Sequence, residues 1–154
     1  MKAKRAFSER FKSDPMSYVI ALYAIFGSLW FFIEQTSKLF RPEAAKAAMR
    51  DSALGQFDWG FVWADTFAPA PLLLVGGILL LLCSSNRLGS LFAFAGFAIN
   101  LYATIFLIIG LRALGHPIVG TGLFVLVLVA LLGLLSMIWL AVTIVRERPV
   151  FHRR

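Results

Sequence analysis

The sequence predicts an all-α integral membrane protein: four transmembrane helices in an antiparallel up-down-up-down bundle, with a short interfacial helix in the first outer loop. Composition is the first observation, with 60% hydrophobic and only 15% charged residues, where soluble domains are nearer half apolar and a quarter charged. The second is four apolar runs long enough to be spans, since about 18 nearly uncharged residues are needed to cross roughly 30 Å of hydrocarbon. The third is the brevity of two of the three connections, which makes consecutive helices antiparallel neighbours.

The first run, MSYVIALYAIFGSLWFFIEQ, covers residues 16 to 35. Its basic head, MKAKRAFSERFKSD, resembles the start of a signal peptide. The run is long enough to span, however, and no small-x-small cleavage site follows it, so the helix is expected to be retained. The outer loop, 36 to 58, contains PEAAKAAMRDSAL. Pro42 suits the first helical position, Glu43 the positive end and Gly55 the stop, which predicts a short helix at the membrane interface anchored by Phe40 and Phe57.

The second span is set at about 59 to 83. From Leu72 to Cys83 there are 12 residues, about 18 Å of helix at 1.5 Å per residue and too short to cross. The helix must therefore begin earlier. A start near Phe61, with Asp58 as N-cap and Trp59 and Trp63 at headgroup level, places Asp65 about one turn inside the membrane. Pro69 and Pro71 then form a helix break, because Pro69 has no N–H for the carbonyl of Asp65. The same residues also fit a shallow turn over 59 to 68 with the helix restarting at Pro69 or Pro71. Either way Asp65 is expected to face other helices, along a stripe with Ala68, Pro69, Leu72 and Gly76.

The third span, 88 to 111, carries the small and polar stripe Gly89, Ala93, Gly96, Asn100 and Thr104. The fourth, 117 to 145, carries Gly122, Gly133 and Ser136, and Gly27 plays the same part on the first. Small residues allow close helix approach and polar ones bond across it. The whole chain, 1 to 154, reads as one four-helix membrane domain.

Basic residues orient it. Both termini fall on one side, with Lys2, Lys4, Arg5, Arg10, Lys12, Arg87, Arg146, Arg148, Arg153 and Arg154, ten in all, against Lys38, Arg41, Lys46, Arg50 and Arg112 on the other. The positive-inside rule puts both termini in the cytoplasm, and the inner membrane is the expected location. The formal charge of +7 lies in these short flanking segments, where it meets lipid headgroups rather than nucleic acid.

The candidate functional polar cluster is Asp65, Arg112, His116, Glu34 and Asn100. An acid within a span needs a partner, and Arg112 or His116 is the nearest on the same side. An Asp65–Arg112 pair fixing helix packing is the leading expectation. Glu34 is expected to pair with Lys38 one turn on. Convergence of Glu34, Asp65 and His116 on a metal carries no spacing signature. His116 and His152 are predicted at opposite faces, which excludes a bis-histidine haem. One cysteine, Cys83, excludes an internal disulfide and a cysteine zinc cluster. Nucleotide-loop, H-E-x-x-H and G-x-S-x-G motifs do not occur in the sequence.

No cofactor and no metal are expected. The expected function is a small polytopic inner-membrane protein that binds or assembles without catalysis. Its expected partners are membrane lipids and a second copy or larger membrane complex. A proton-linked carrier of a small or lipophilic compound using Asp65 is the alternative, and a lipid-modifying enzyme the second.

Overall fold

The computed structural model describes residues 14 to 82 and 87 to 146, with the side chains of residues 61 and 62 excepted. The head, Cys83, the start of the second turn and the tail with His152 lie outside it. The described chain is all helical. The helices are α1 (Pro15–Leu39), α2 (Glu43–Asp51), α3 (Ala53–Phe67), α4 (Pro69–Leu82), α5 (Arg87–Ala113) and α6 (Gly120–Arg146). Four stretches are long and apolar enough to cross a membrane: α1, α3 with α4, α5 and α6.

Local signals set the helix ends. Asp14 caps α1 by accepting from the Ser17 N–H at 3.1 Å, and Pro15 occupies its first turn. Glu43 opens α2 and is bound by Lys46 at 2.8 Å. That hydrogen bond and the lysine charge hold its carboxyl below the usual range. Gly115 and Gly120 take positive φ in the turn between α5 and α6, a backbone region that side chains disfavour.

The second span begins earlier than the sequence predicts. Ser52, in extended conformation, ends α2 and caps α3 by accepting from the Gly55 N–H at 2.9 Å. Gly55 is therefore inside α3 rather than a stop, and Asp58 is an interior residue rather than a cap. The expected break does occur: α3 ends at Phe67, Ala68 turns, and α4 restarts at Pro69. Pro69 tolerates that position because a first-turn residue needs no N–H donor. The chain up to Phe67 is helical, so the shallow-turn alternative holds only in its restart.

Packing centres on α4, which lies against both α1 and α5, while α6 lies against α5. Adjacent glycines make the double contact possible. A Cβ on Gly76 would stand 2.8 Å from Ala93 Cα of α5, and one on Gly77 would stand 2.8 Å from the Ala21 carbonyl oxygen of α1. The α5 stripe behaves as expected, with Gly89, Ala93, Gly96, Asn100 and Thr104 all buried. A Cβ on Gly96 would meet Leu73 Cγ at 2.7 Å. Tyr18, Leu73, Leu80, Phe97 and Leu140 fill the rest of the interior.

Three small or aromatic positions depart from expectation. Gly122 is exposed, and Gly27 has open space where a Cβ would lie, so neither mediates a tight helix contact. Phe57 does not anchor a loop at the interface. It stacks on Phe106 at 5.7 Å and lies against Gly110, which joins α3 to α5. An aromatic row runs along α3 from half-buried Trp59 to exposed Trp63 and Phe67, with Arg50 of α2 over the Trp59 ring at 5.4 Å.

The glycine contacts yield a stability prediction. Gly76→Leu forces α4 and α5 apart and should cost about 1–3 kcal/mol or more, as overpacking does. Phe92→Leu, at a half-buried position, should be mild. Thermal unfolding of the two variants in detergent measures the difference, and equal loss would mean the α4–α5 interface does not depend on close backbone approach.

Candidate functional site

The polar groups near Asp65 come from two helices brought together by the fold. Asp65 is 7% exposed and Gln35 is 5% exposed, and the Gln35 Nε2 donates to Asp65 Oδ2 at 3.1 Å. Arg112 is exposed and makes no ion pair with Asp65. The expected Asp65–Arg112 pair is thus replaced by a neutral donor on α1. The reason is register: Asp65 sits on the face of α3 that packs against α1, whereas Arg112 ends α5 on its exposed side.

A second link runs parallel to the first. Lys38 Nζ binds Asp58 Oδ1 at 2.7 Å, with the lysine buried and the aspartate half-exposed. Lys38 is therefore not the partner of Glu34, which is exposed. Gln35 and Lys38 lie three residues apart, about 4.5 Å along α1, while Asp65 and Asp58 lie seven apart, about 10.5 Å along α3. The long lysine stem covers the difference. Together the two links fasten α1 to α3 just before the break. Beyond it, Ser28 Oγ donates to the Ala70 carbonyl of α4 at 2.7 Å.

Gln35 and Asp65 face a cavity of about 560 Å³. It lies where α1 and α6 meet through side chains: the Tyr23 hydroxyl donates to the Val129 carbonyl at 3.4 Å, and Trp139 Nε1 donates to Ser17 Oγ at 3.4 Å. Phe97 of α5, stacked on Tyr23 at 5.4 Å, forms part of the wall. Gly27 contributes room by lacking a side chain. Phe26 and Trp30 line the cavity and are 67% and 69% exposed, so its flank reaches the apolar outer surface of the protein.

The cavity is lined mostly by apolar side chains and is polar at the end where Glu34 and Gln35 of α1 meet Asp65, while Asn100 and Thr104 of α5 add polar groups to the lining. Thr104 Oγ1 is committed to the Asn100 backbone carbonyl at 2.9 Å. The Asn100 side chain makes no hydrogen bond to another described residue. Gln35 Oε1 is buried and accepts none either. Glu34, Asp65 and Asn100 thus share one cavity, while Arg112 and His116 lie exposed outside it. Among the described residues no group of three histidine, cysteine or acidic side chains is placed to hold a metal ion.

Gln35 is the residue that sequence reasoning missed. Its signal is present in the sequence: it is a polar residue next to Glu34 and one turn before Lys38 at the end of an apolar run. A search for a charged partner to a charged residue overlooks a neutral donor. A cavity of this size falls in the range of small-molecule sites, roughly 300–1,000 Å³, which combine apolar walls with a few convergent polar groups.

Comparison with known proteins adds no identity: no family model matches the chain, and no curated protein or solved structure matches it.

The hydrogen bond predicts a double-mutant signature. Gln35→Leu leaves the Asp65 carboxyl without its donor and should cost about 1–3 kcal/mol. Gln35→Leu combined with Asp65→Leu should recover much of that loss, because neither group is then left without a partner. Arg112→Gln should stay within about 0.5 kcal/mol, as exposed substitutions do. Chemical denaturation of these proteins and of the Asp65→Leu/Arg112→Gln double variant in micelles reads all of these effects, and a large Arg112→Gln loss rescued in that double variant would show an Asp65–Arg112 ion pair instead.

Proposed function

We propose that the protein is a non-catalytic binding component of the membrane, which holds a lipophilic molecule between α1 and α6 with its polar end toward Asp65. The observation that carries this reading is the cavity of about 560 Å³ with acceptors gathered at one end and exposed aromatics along its flank. Apolar walls favour a hydrocarbon body, and a flank on the outer surface allows entry from the lipid phase. The grouping of polar residues at one end gives such a molecule one preferred orientation.

The reading includes a topology. The four spans alternate in direction as an antiparallel bundle in the inner membrane, with both termini cytoplasmic and α2 at the outer interface. The basic count of ten against five supports that orientation. Reporter fusions at the C-terminus and near residue 48 should give cytoplasmic and external signals respectively. A cytoplasmic signal from the loop fusion would reverse it.

Occupancy is testable through Gly27. An alkyl diazirine amphiphile, photoactivated on the full chain in lipid nanodiscs, should label Phe26, Trp30 and Val129 saturably. Gly27→Phe fills the space beside them and should abolish the saturable part while leaving unfolding temperature nearly unchanged. Labelling that rises linearly and equally across the exposed faces of α5 and α6 would mean simple lipid contact.

A further inference from the structure

The head group that the cavity accepts follows from which hydrogen-bonding groups remain uncommitted. Gln35 gives one of its two amide N–H groups to Asp65 and keeps the other, while its acceptor Oε1 is buried and bound by no described group. Asp65 spends one oxygen on that same amide and keeps the other, again an acceptor. Glu34, at the rim, adds a second carboxylate that no described cation pairs with. The nearest lysine on α1, Lys38, is held by Asp58. The Asn100 amide, also in the lining, adds neutral donors and an acceptor but no charge.

Acceptors therefore outnumber donors, and two of them are carboxylates. Resting on the cavity-binding reading above, we propose that the ligand is a lipophilic amine: an alkyl or aryl body in the apolar part of the cavity with an ammonium head between the carboxylates of Asp65 and Glu34. An ammonium supplies up to three N–H donors and a positive charge, which answers both acids at once. A carboxylate or phosphate head would face two carboxylates of its own sign, with only neutral amide N–H groups to bind it. An alcohol supplies a single donor and leaves the charges unanswered. Charge-assisted hydrogen bonds are roughly twice as strong as neutral ones, so the head group rather than the chain decides the selectivity.

Three radiolabelled amphiphiles with the same chain, dodecylamine, dodecanol and dodecanoate, separate the possibilities. Each is titrated onto the full protein in nanodiscs of zwitterionic lipid, with binding to protein-free nanodiscs subtracted. Dodecylamine is expected to bind saturably and at least roughly tenfold more tightly than the other two, the scale of one charge-assisted hydrogen bond. Asp65→Asn, which retains the size of the side chain, should remove most of that preference. Glu34→Gln, at an exposed position, should weaken dodecylamine about threefold and leave dodecanol unaffected, so the test stands even where Asp65→Asn fails to fold. Gly27→Phe should remove saturable binding altogether. Dodecanol or dodecanoate binding as tightly as dodecylamine, with loss on Gly27→Phe, would overturn the ammonium assignment and leave the cavity reading in place. No saturable binding of any probe, or binding that survives Gly27→Phe, would overturn both.

Discussion

The close approach of α4 to two helices at once is the constraint from which the rest of the arrangement follows. Gly76 faces Ala93 of α5 and Gly77 faces Ala21 and Ile25 of α1, so neighbouring residues of one helix serve opposite contacts. In a bilayer no hydrophobic force draws apolar helices together, because lipid chains are as apolar as leucine. Association depends on dispersion contacts and hydrogen bonds, which small residues bring within range. With α1 and α5 placed on either side of α4, α6 packs on α5, and Tyr23 and Trp139 make hydrogen bonds between α1 and α6. The cavity is the space left where those two helices are bridged by side chains.

The break between α3 and α4 determines what the cavity contains. A continuous helix would carry Asp65 in the same direction as α4, but a change of course at Ala68 lets α3 follow α1 independently. There the Gln35–Asp65 and Lys38–Asp58 links hold it. On both sides of the break α1 supplies donors, Gln35 to the Asp65 carboxylate before it and Ser28 to the Ala70 carbonyl after it. Asp65 thus sits between a hydrogen-bond donor and an open space, an arrangement suited to holding something as well as to holding helices together.

Much of the architecture was legible from the chain. Four apolar runs, the stripe from Gly89 to Thr104 and the break at Pro69 all follow from local rules: hydrocarbon thickness, helical period and the missing proline N–H. Boundaries were less legible. Asp58 and Ser52 are both good capping residues, and local preference does not choose between them. Tertiary structure does, by binding Asp58 to Lys38 and leaving Ser52 to cap.

The partner of Asp65 shows the same limit at the level of function. The sequence by itself determined that an acid lies inside an apolar run beside two prolines, and that such an acid needs a partner, because burying a carboxyl group is costly wherever it occurs. Which side chain answers it is a matter of which helix faces lie together. Arg112 was close by topology but ends α5 on the exposed side, whereas Gln35, thirty residues away on α1, is brought opposite by the glycine contacts of α4. The cavity is likewise a property of the assembled helices alone. Gly27 looks like any packing glycine in the sequence, and only the gap between α1 and α6 makes its missing side chain an opening.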